Sequence, residues 1–216
     1  MNDLQQQELF EIEMLHFLLK NLIFGGGTML RLCHSLNRYS VDLDFWLYHV
    51  QEIEKFYHNI INSLIQGYTI TDTQNKYHSL LFEIKKVPYP RKLKIEIRKE
   101  IGQADFQEKI AYSKQGYLQV LVRGFTLDQM MQNKISALLG RKEIRDAFDI
   151  EFLIRNGIDL PANKKQLKQI KDIVKNFKRR EYFVTLGSLL DPEVRDYYKQ
   201  NGFSYLVQII NQNLSY

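Results

Sequence analysis

The sequence predicts an α+β fold, with a mixed α/β N-terminal half followed by an all-helical C-terminal half. Between residues 41 and 99, several short runs alternate apolar and polar residues with the period of two that marks strands, and turn residues separate them. Beyond about residue 125 the apolar spacing lengthens to that of helices and stays so to the C-terminus. With 216 residues, 44% hydrophobic and 25% charged, the chain is long enough to bury a core in one large or two small domains. The expected division is 1–115 for the α/β core and 116–216 for the helical domain, with the boundary somewhere between residues 105 and 126 and without internal repeats or low-complexity tracts.

The elements follow in order. Leu4 to Phe24 reads as an amphipathic helix, with Leu4, Leu9, Phe10, Met14, Phe17 and Leu18 at helical spacing. Gly25-Gly26-Gly27 ends it, and Thr28 is placed to cap a short helix running to about Leu36. From Val41 to Tyr48 a strand carries Val41, Leu43, Phe45 and Leu47 on one face and Asp42, Asp44 and Trp46 on the other. Residues 50–65 look helical. Strands are expected over Tyr68–Thr73, Tyr77–Val87 and Lys92–Lys99, with turns at Gln74-Asn75 and Pro88-Tyr89-Pro90. Helices then run over Leu127–Leu139, Ile144–Asn156 and Lys164–Phe177, with two more before Tyr216 and breaks at Gly157, Pro161 and Gly202.

A net charge of +5 leans toward an anionic partner such as a nucleotide or RNA. The lone Cys33 excludes an intramolecular disulfide framework and fits a reducing cytosol, so a cytoplasmic location is expected. The N-terminus lacks the basic region of a secretory signal, and nothing approaches the roughly 18 consecutive apolar residues of a membrane span.

Asp42 and Asp44 are the strongest local signal for chemistry. On a strand, positions i and i+2 project to one face, about 6.5–7 Å apart at the backbone. Two such carboxylates repel unless a cation sits between them, and magnesium suits hard oxygen ligands while leaving positions for substrate phosphates. Taken alone, an Asp-x-Asp is more often an ordinary exposed strand edge. Here the apolar opposite face fixes the pair on a rigid scaffold. The glycine turn upstream opens a helix whose backbone N–H groups favour a phosphate. Glu96 lies on the polar face of the Leu93–Arg98 run; singly it is a surface residue, and beside the pair it is a candidate third ligand. Three carboxylates on adjacent strands hold two metal ions in many phosphoryl-transfer sites.

Together these residues resemble the AbiEii/AbiGii-type nucleotidyltransferase toxins of the polymerase-β-like superfamily. The first motif is Gly26-Gly27-Thr28-Met29-Leu30-Arg31, followed by Arg38-Tyr39-Ser40-Val41-Asp42-Leu43-Asp44-Phe45. Lys94-Ile95-Glu96 looks like the second. Lys134 to Arg141, then Arg145-Asp146-Ala147-Phe148-Asp149, look like the third and fourth. The matches run in order from about residue 15 to residue 157. Glu96 stands where Asp is frequent, and Gly25 where many relatives carry a polar residue.

The resemblance implies a polymerase-β-like core followed by helices, and transfer of an NMP from an NTP to an acceptor hydroxyl. Asp42, Asp44 and Glu96 would hold two magnesium ions, with manganese as an alternative, and Glu96 would also take the acceptor proton. Gly26, Gly27, Thr28 and Ser40 would bind nucleotide. Lys134 would neutralise the triphosphate. Arg145, Asp146 and Asp149 would form a charged network holding Lys134 or a second substrate, against the plainer reading of surface helix pairs. The implied acceptor is RNA, such as a tRNA 3′ end. The implied role is the toxin of a toxin–antitoxin or phage-defence pair, with a cognate antitoxin as partner. Modification of a protein or small molecule, and a non-catalytic nucleotide- or RNA-binding protein of the same fold, remain open alternatives.

The lysines between Lys164 and Arg180 surround an apolar stripe of Leu167, Ile170, Val174 and Phe177. Such a face is usually solvated; the alternative is that it tracks RNA, with Tyr182 or Phe183 stacking on a base. The five histidines show no metal-ligand spacing, and Cys33-His34 reads as packing.

Overall fold

The computed structural model describes residues 1–18, 22–49, 52–100 and 104–215. It divides into two compact units: residues 1–35 with 39–126, and residues 127–216 with the short excursion Leu36–Arg38. The division falls after Thr126 rather than at 115/116. The reason is a hairpin, β6 (Phe106–Ser113) and β7 (Leu118–Phe125), that adds to the sheet of the first unit. Its alternation is weak in sequence because Ile110 and Leu121, paired across the hairpin, are both exposed.

Among the described residues, the first unit holds a seven-stranded mixed sheet in the order β3-β4-β5-β2-β1-β7-β6. The remaining strands are β1 (Leu22–Gly25), β2 (Asp42–Leu47), β3 (Thr69–Asn75), β4 (Ser79–Lys85) and β5 (Leu93–Arg98). β2 lies between β1, antiparallel to it, and β5, parallel to it. Leu43, Phe45, Leu47, Leu93, Ile95 and Ile97 are all almost fully buried. Each such side chain contributes about 1.5–3 kcal/mol on leaving water, so the alternation seen in sequence also pins the register.

The N-terminal helix is shorter than its apolar pattern. Helix α1 covers Asp3–Leu18, and Leu22–Gly25 is β1, a wholly buried strand in the middle of the sheet. A short apolar run that ends in glycine fits a buried strand as well as a helix end, and tertiary pairing decides. Residues 19–21 of the expected helix lie outside the described residues. The burial of α1 also departs from the expected stripe: Phe17 is exposed, while Gln7, Glu8 and Glu11 are buried. Helix α3 covers Ile53–Leu64, and residues 50 and 51 of that expectation are likewise outside the described residues.

The second unit is helical: α4 (Leu127–Arg141), α5 (Ile144–Arg155), α6 (Lys164–Lys175), α7 (Pro192–Asn201) and α8 (Ser204–Leu214). A π-helical segment, Glu181–Leu186, precedes α7. Its core is built from Met131, Leu138, Phe148, Leu153, Ile170, Leu206 and Ile210. Asn163 caps α6 by accepting from the Gln166 backbone N–H, and Gln166 returns the bond to the Asn163 backbone. Among the described residues no helix is long and apolar enough to cross a membrane.

Candidate active site

The aspartate pair lies where the alternation puts it, on the less buried face of β2. Register adds what spacing alone leaves out. Asp42 stands opposite Lys94 of β5, and Asp44 opposite Glu96. Neighbouring strands are about 4.8 Å apart, so the patch alternates acid, base, acid and acid within one side-chain layer. Like charges directly opposite each other are unfavourable without a compensating cation. Lys94 Nζ meets part of this by lying 3.2 Å from Glu96 Oε2.

The glycine turn is fitted to Asp44. Gly25 pairs with Asp44 across β1 and β2. Gly26 has φ +71°, and a Cβ there would fall 2.1 Å from Asp44 Oδ2. A Cβ on Gly25 would meet the Trp46 ring at 2.6 Å and the Phe125 ring at 2.9 Å. The two rings leave no room for a side chain at position 25. Helix α2 (Gly26–His34) therefore starts against the carboxylate, and its first backbone N–H groups are donors that a helix start leaves without intrahelical partners.

Thr28 does not cap this helix. Gly25 is the N-cap, and no side chain caps it. The buried Thr28 hydroxyl instead donates to the Asp42 carbonyl at 2.6 Å, tying the first turn of α2 to β2. Ser40 is half-buried two residues before Asp42. From α1, Gln7 Nε2 donates to the carbonyls of Val41 at 3.3 Å and Lys92 at 3.5 Å, clamping the starts of β2 and β5. Glu8 links α2 to β6, accepting from Arg31 Nε at 2.5 Å and from the Ser113 hydroxyl at 2.8 Å. These α1 contacts escape a sequence reading because buried polar residues interrupt the apolar stripe.

Among the described residues, no three His, Cys, Asp or Glu side chains are gathered closely enough to hold one metal ion, and Glu96 is turned toward Lys94. The Asp42 and Asp44 pair nevertheless fits magnesium, which is commonly held by one or two carboxylates, waters and substrate phosphates.

The helical unit gathers a second set of charges. Lys134 is buried, with Nζ 2.7 Å from Asp149 Oδ2 and 3.4 Å from Asp146 Oδ1. Arg38 grips Asp149 with two bonds of 2.7 Å, and Arg141 does the same to Asp146. Both aspartates are fully buried. Burial alone would raise the Asp149 carboxyl, but Arg38 and Lys134 hold it below the usual carboxylate range. Burial likewise opposes the charge on Arg38, and Asp149 overrides it to raise the guanidinium.

The structure thus brings Lys134, Asp146 and Asp149 together and adds Arg38 and Arg141. It leaves Arg145 apart, paired to Glu143 at 2.7 Å. Spacing of four along a helix puts Arg145 near Asp149, but Asp149 turns inward to partners elsewhere. Cys33 is inert at neutral pH, because burial pushes its thiol up to about 12.

Residues 9–200 match the sequence profile of the nucleotidyl transferase AbiEii toxin of type IV toxin–antitoxin systems. The chain belongs to the AbiEii family. As an AbiEii protein it is similar in fold to MenT4, a nucleotidyltransferase toxin from Mycobacterium tuberculosis H37Rv, at 15% identity and a TM-score of 0.64. That comparison covers 97% of this chain and 84% of MenT4. It is also similar to JHP933 from Helicobacter pylori, at 18% identity and a TM-score of 0.58, covering 99% of this chain and 93% of that one. A putative nucleotidyltransferase from Helicobacter pylori gives 18% identity and a TM-score of 0.58, covering 97% and 95%. No curated protein matches by sequence. The fold is that of a nucleotidyltransferase core with a helical C-terminal region.

Proposed function

We propose that this AbiEii protein is a magnesium-dependent nucleotidyltransferase that moves an NMP from an NTP to an RNA hydroxyl, such as a tRNA 3′ end, with pyrophosphate leaving. The observation that carries this reading is the seating of the Asp44 carboxylate against Gly26, at the start of α2 and opposite Glu96. One strand position thereby joins a phosphate-binding helix end to a carboxylate patch. Backbone N–H groups of Gly26 and Gly27 receive the terminal phosphates. Asp42 and Asp44 hold magnesium, which supplies positive charge against the phosphoryl oxygens. Glu96 accepts the proton of the attacking hydroxyl, and Lys94 Nζ lies 3.2 Å from its Oε2. Within the helical unit, Lys134, held by Asp149 and Asp146, is the cation proposed to act on phosphate. Family membership supports a toxin role, with an antitoxin encoded alongside.

The test incubates purified protein with magnesium, each labelled NTP in turn, and total tRNA or cell lysate. Label should enter RNA, and Asp42→Asn or Asp44→Asn should abolish it while the fold persists by circular dichroism. Label in protein would redirect the acceptor to a polypeptide. Equal labelling by wild type and both variants would overturn the catalytic assignment.

A further inference from the structure

The helical unit holds a pocket that the transfer chemistry above does not use. It measures about 360 Å³ and is lined by Asn37, Phe152, Arg155, Glu193, Tyr197 and Tyr198, all within this unit. Small-molecule sites span roughly 300–1,000 Å³ and combine apolar or aromatic walls with a few placed polar groups.

The wall is fixed from beneath. Glu151 is fully buried, and its Oε1 accepts from the Tyr198 hydroxyl at 2.9 Å and from Arg155 Nη2 at 3.0 Å. Its other oxygen accepts the Leu206 backbone N–H at 3.1 Å. Arg155 Nη2 also donates to the Tyr197 hydroxyl at 3.2 Å, and the guanidinium lies 4.2 Å from the Tyr205 ring centroid. A single buried carboxylate thus sets two lining residues in place, and through Arg155 it orients a third. A wall already ordered binds a flat ligand with less loss of side-chain freedom.

We propose that this pocket binds a nucleobase carrying an exocyclic amine, which is to say adenine, cytosine or guanine in preference to uracil. Aromatic rings and an arginine plane are the surfaces on which bases stack. The Asn37 amide offers both a donor and an acceptor. The Glu193 carboxylate can only accept, so it suits an amine edge, whereas uracil offers it one N3–H flanked by two carbonyls that repel it. The inference takes its ligand class from the nucleotidyl-transfer reading and deepens it. The base is that of a nucleotide or that of an RNA, which share this chemistry.

Calorimetric titration of the full chain with AMP, CMP, GMP and UMP tests the assignment. The first three should bind, with UMP about fivefold weaker or more. Tyr197→Ala should weaken the three by about fivefold or more, and Glu193→Gln should remove the discrimination against UMP. Both positions are exposed, and circular dichroism checks that each variant folds. Absence of saturable binding to wild type, or variants that match wild type, would overturn the proposal. In the transfer assay, a KM raised by Tyr197→Ala for NTP alone assigns the base to the donor; one raised for RNA alone assigns it to the acceptor. Failed transfer with intact titration removes the catalytic reading only, and the converse removes the pocket only.

Discussion

Alanine at Gly26 strikes the site at its tightest contact. The added Cβ would lie 2.1 Å from Asp44 Oδ2 and 2.8 Å from Asp44 Cβ, whereas ordinary contact begins near 3.4 Å. The carboxylate must therefore retreat by more than 1 Å, or the start of α2 must shift by as much. The backbone adds its own term, since φ +71° costs a residue with a Cβ about 1–2 kcal/mol. For a chain of this size, that lowers the melting temperature by roughly 2–8 °C. The fold should survive. Catalysis should not, because a misplacement of about 1 Å in a reacting constellation costs on the order of 100-fold. Paired thermal melts and initial rates of label transfer measure both effects. Gly140→Ala serves as the control: its Cβ meets nothing within 4 Å, and alanine on α4 should stabilise by roughly 0.5–1 kcal/mol without touching the rate. If Gly26→Ala keeps wild-type turnover, the contact between turn and carboxylate does not position the reaction.

Arg38→Met should destabilise by about 3–5 kcal/mol in urea titration, because it strips the two-bond partner from a fully buried aspartate. Arg145→Ala should change stability by less than about 1 kcal/mol, since its pair with Glu143 is solvent-accessible, and an equal loss in both would refute the distinction. His34 supplies a pH test. Burial lowers its imidazole to about 4 from an ordinary 6.5, and Lys109 adds to the shift. A depressed histidine is neutral when folded and charged when unfolded. Its contribution is therefore complete above pH 6.5 and is lost as pH falls toward 4. Unfolding free energies at pH 7 and pH 4.5 should differ less in His34→Leu than in wild type.

Much of the candidate carboxylate face is legible in the sequence alone. Asp42 and Asp44 sit two apart on a strand whose other face is apolar, and that pattern alone places them together. Gly26 is legible as a turn, but the reason it must be glycine lies in the Asp44 side chain eighteen residues on, brought back by pairing of β1 with β2. Strand β1 itself hides inside an apolar run continuous with α1. In the helical unit, Lys134 and Asp149 are recognisable by motif, yet their organiser is not. Arg38 is 111 residues from Asp149, and no periodicity links positions so far apart. Local spacing proposes Arg145 for that role, because i to i+4 is the only neighbourhood a linear pattern can measure.

The excursion at Leu36–Arg38 bears on how the gene can be divided. A fragment beginning at Leu127 would encode every helix of the second unit but leave Arg38 behind. Asp149 would then be translated without its guanidinium and buried with Lys134 as its remaining ion-pair partner. Division at the obvious junction would separate two halves of one ion pair. A complementation experiment would need residues 36–38 supplied with the C-terminal piece.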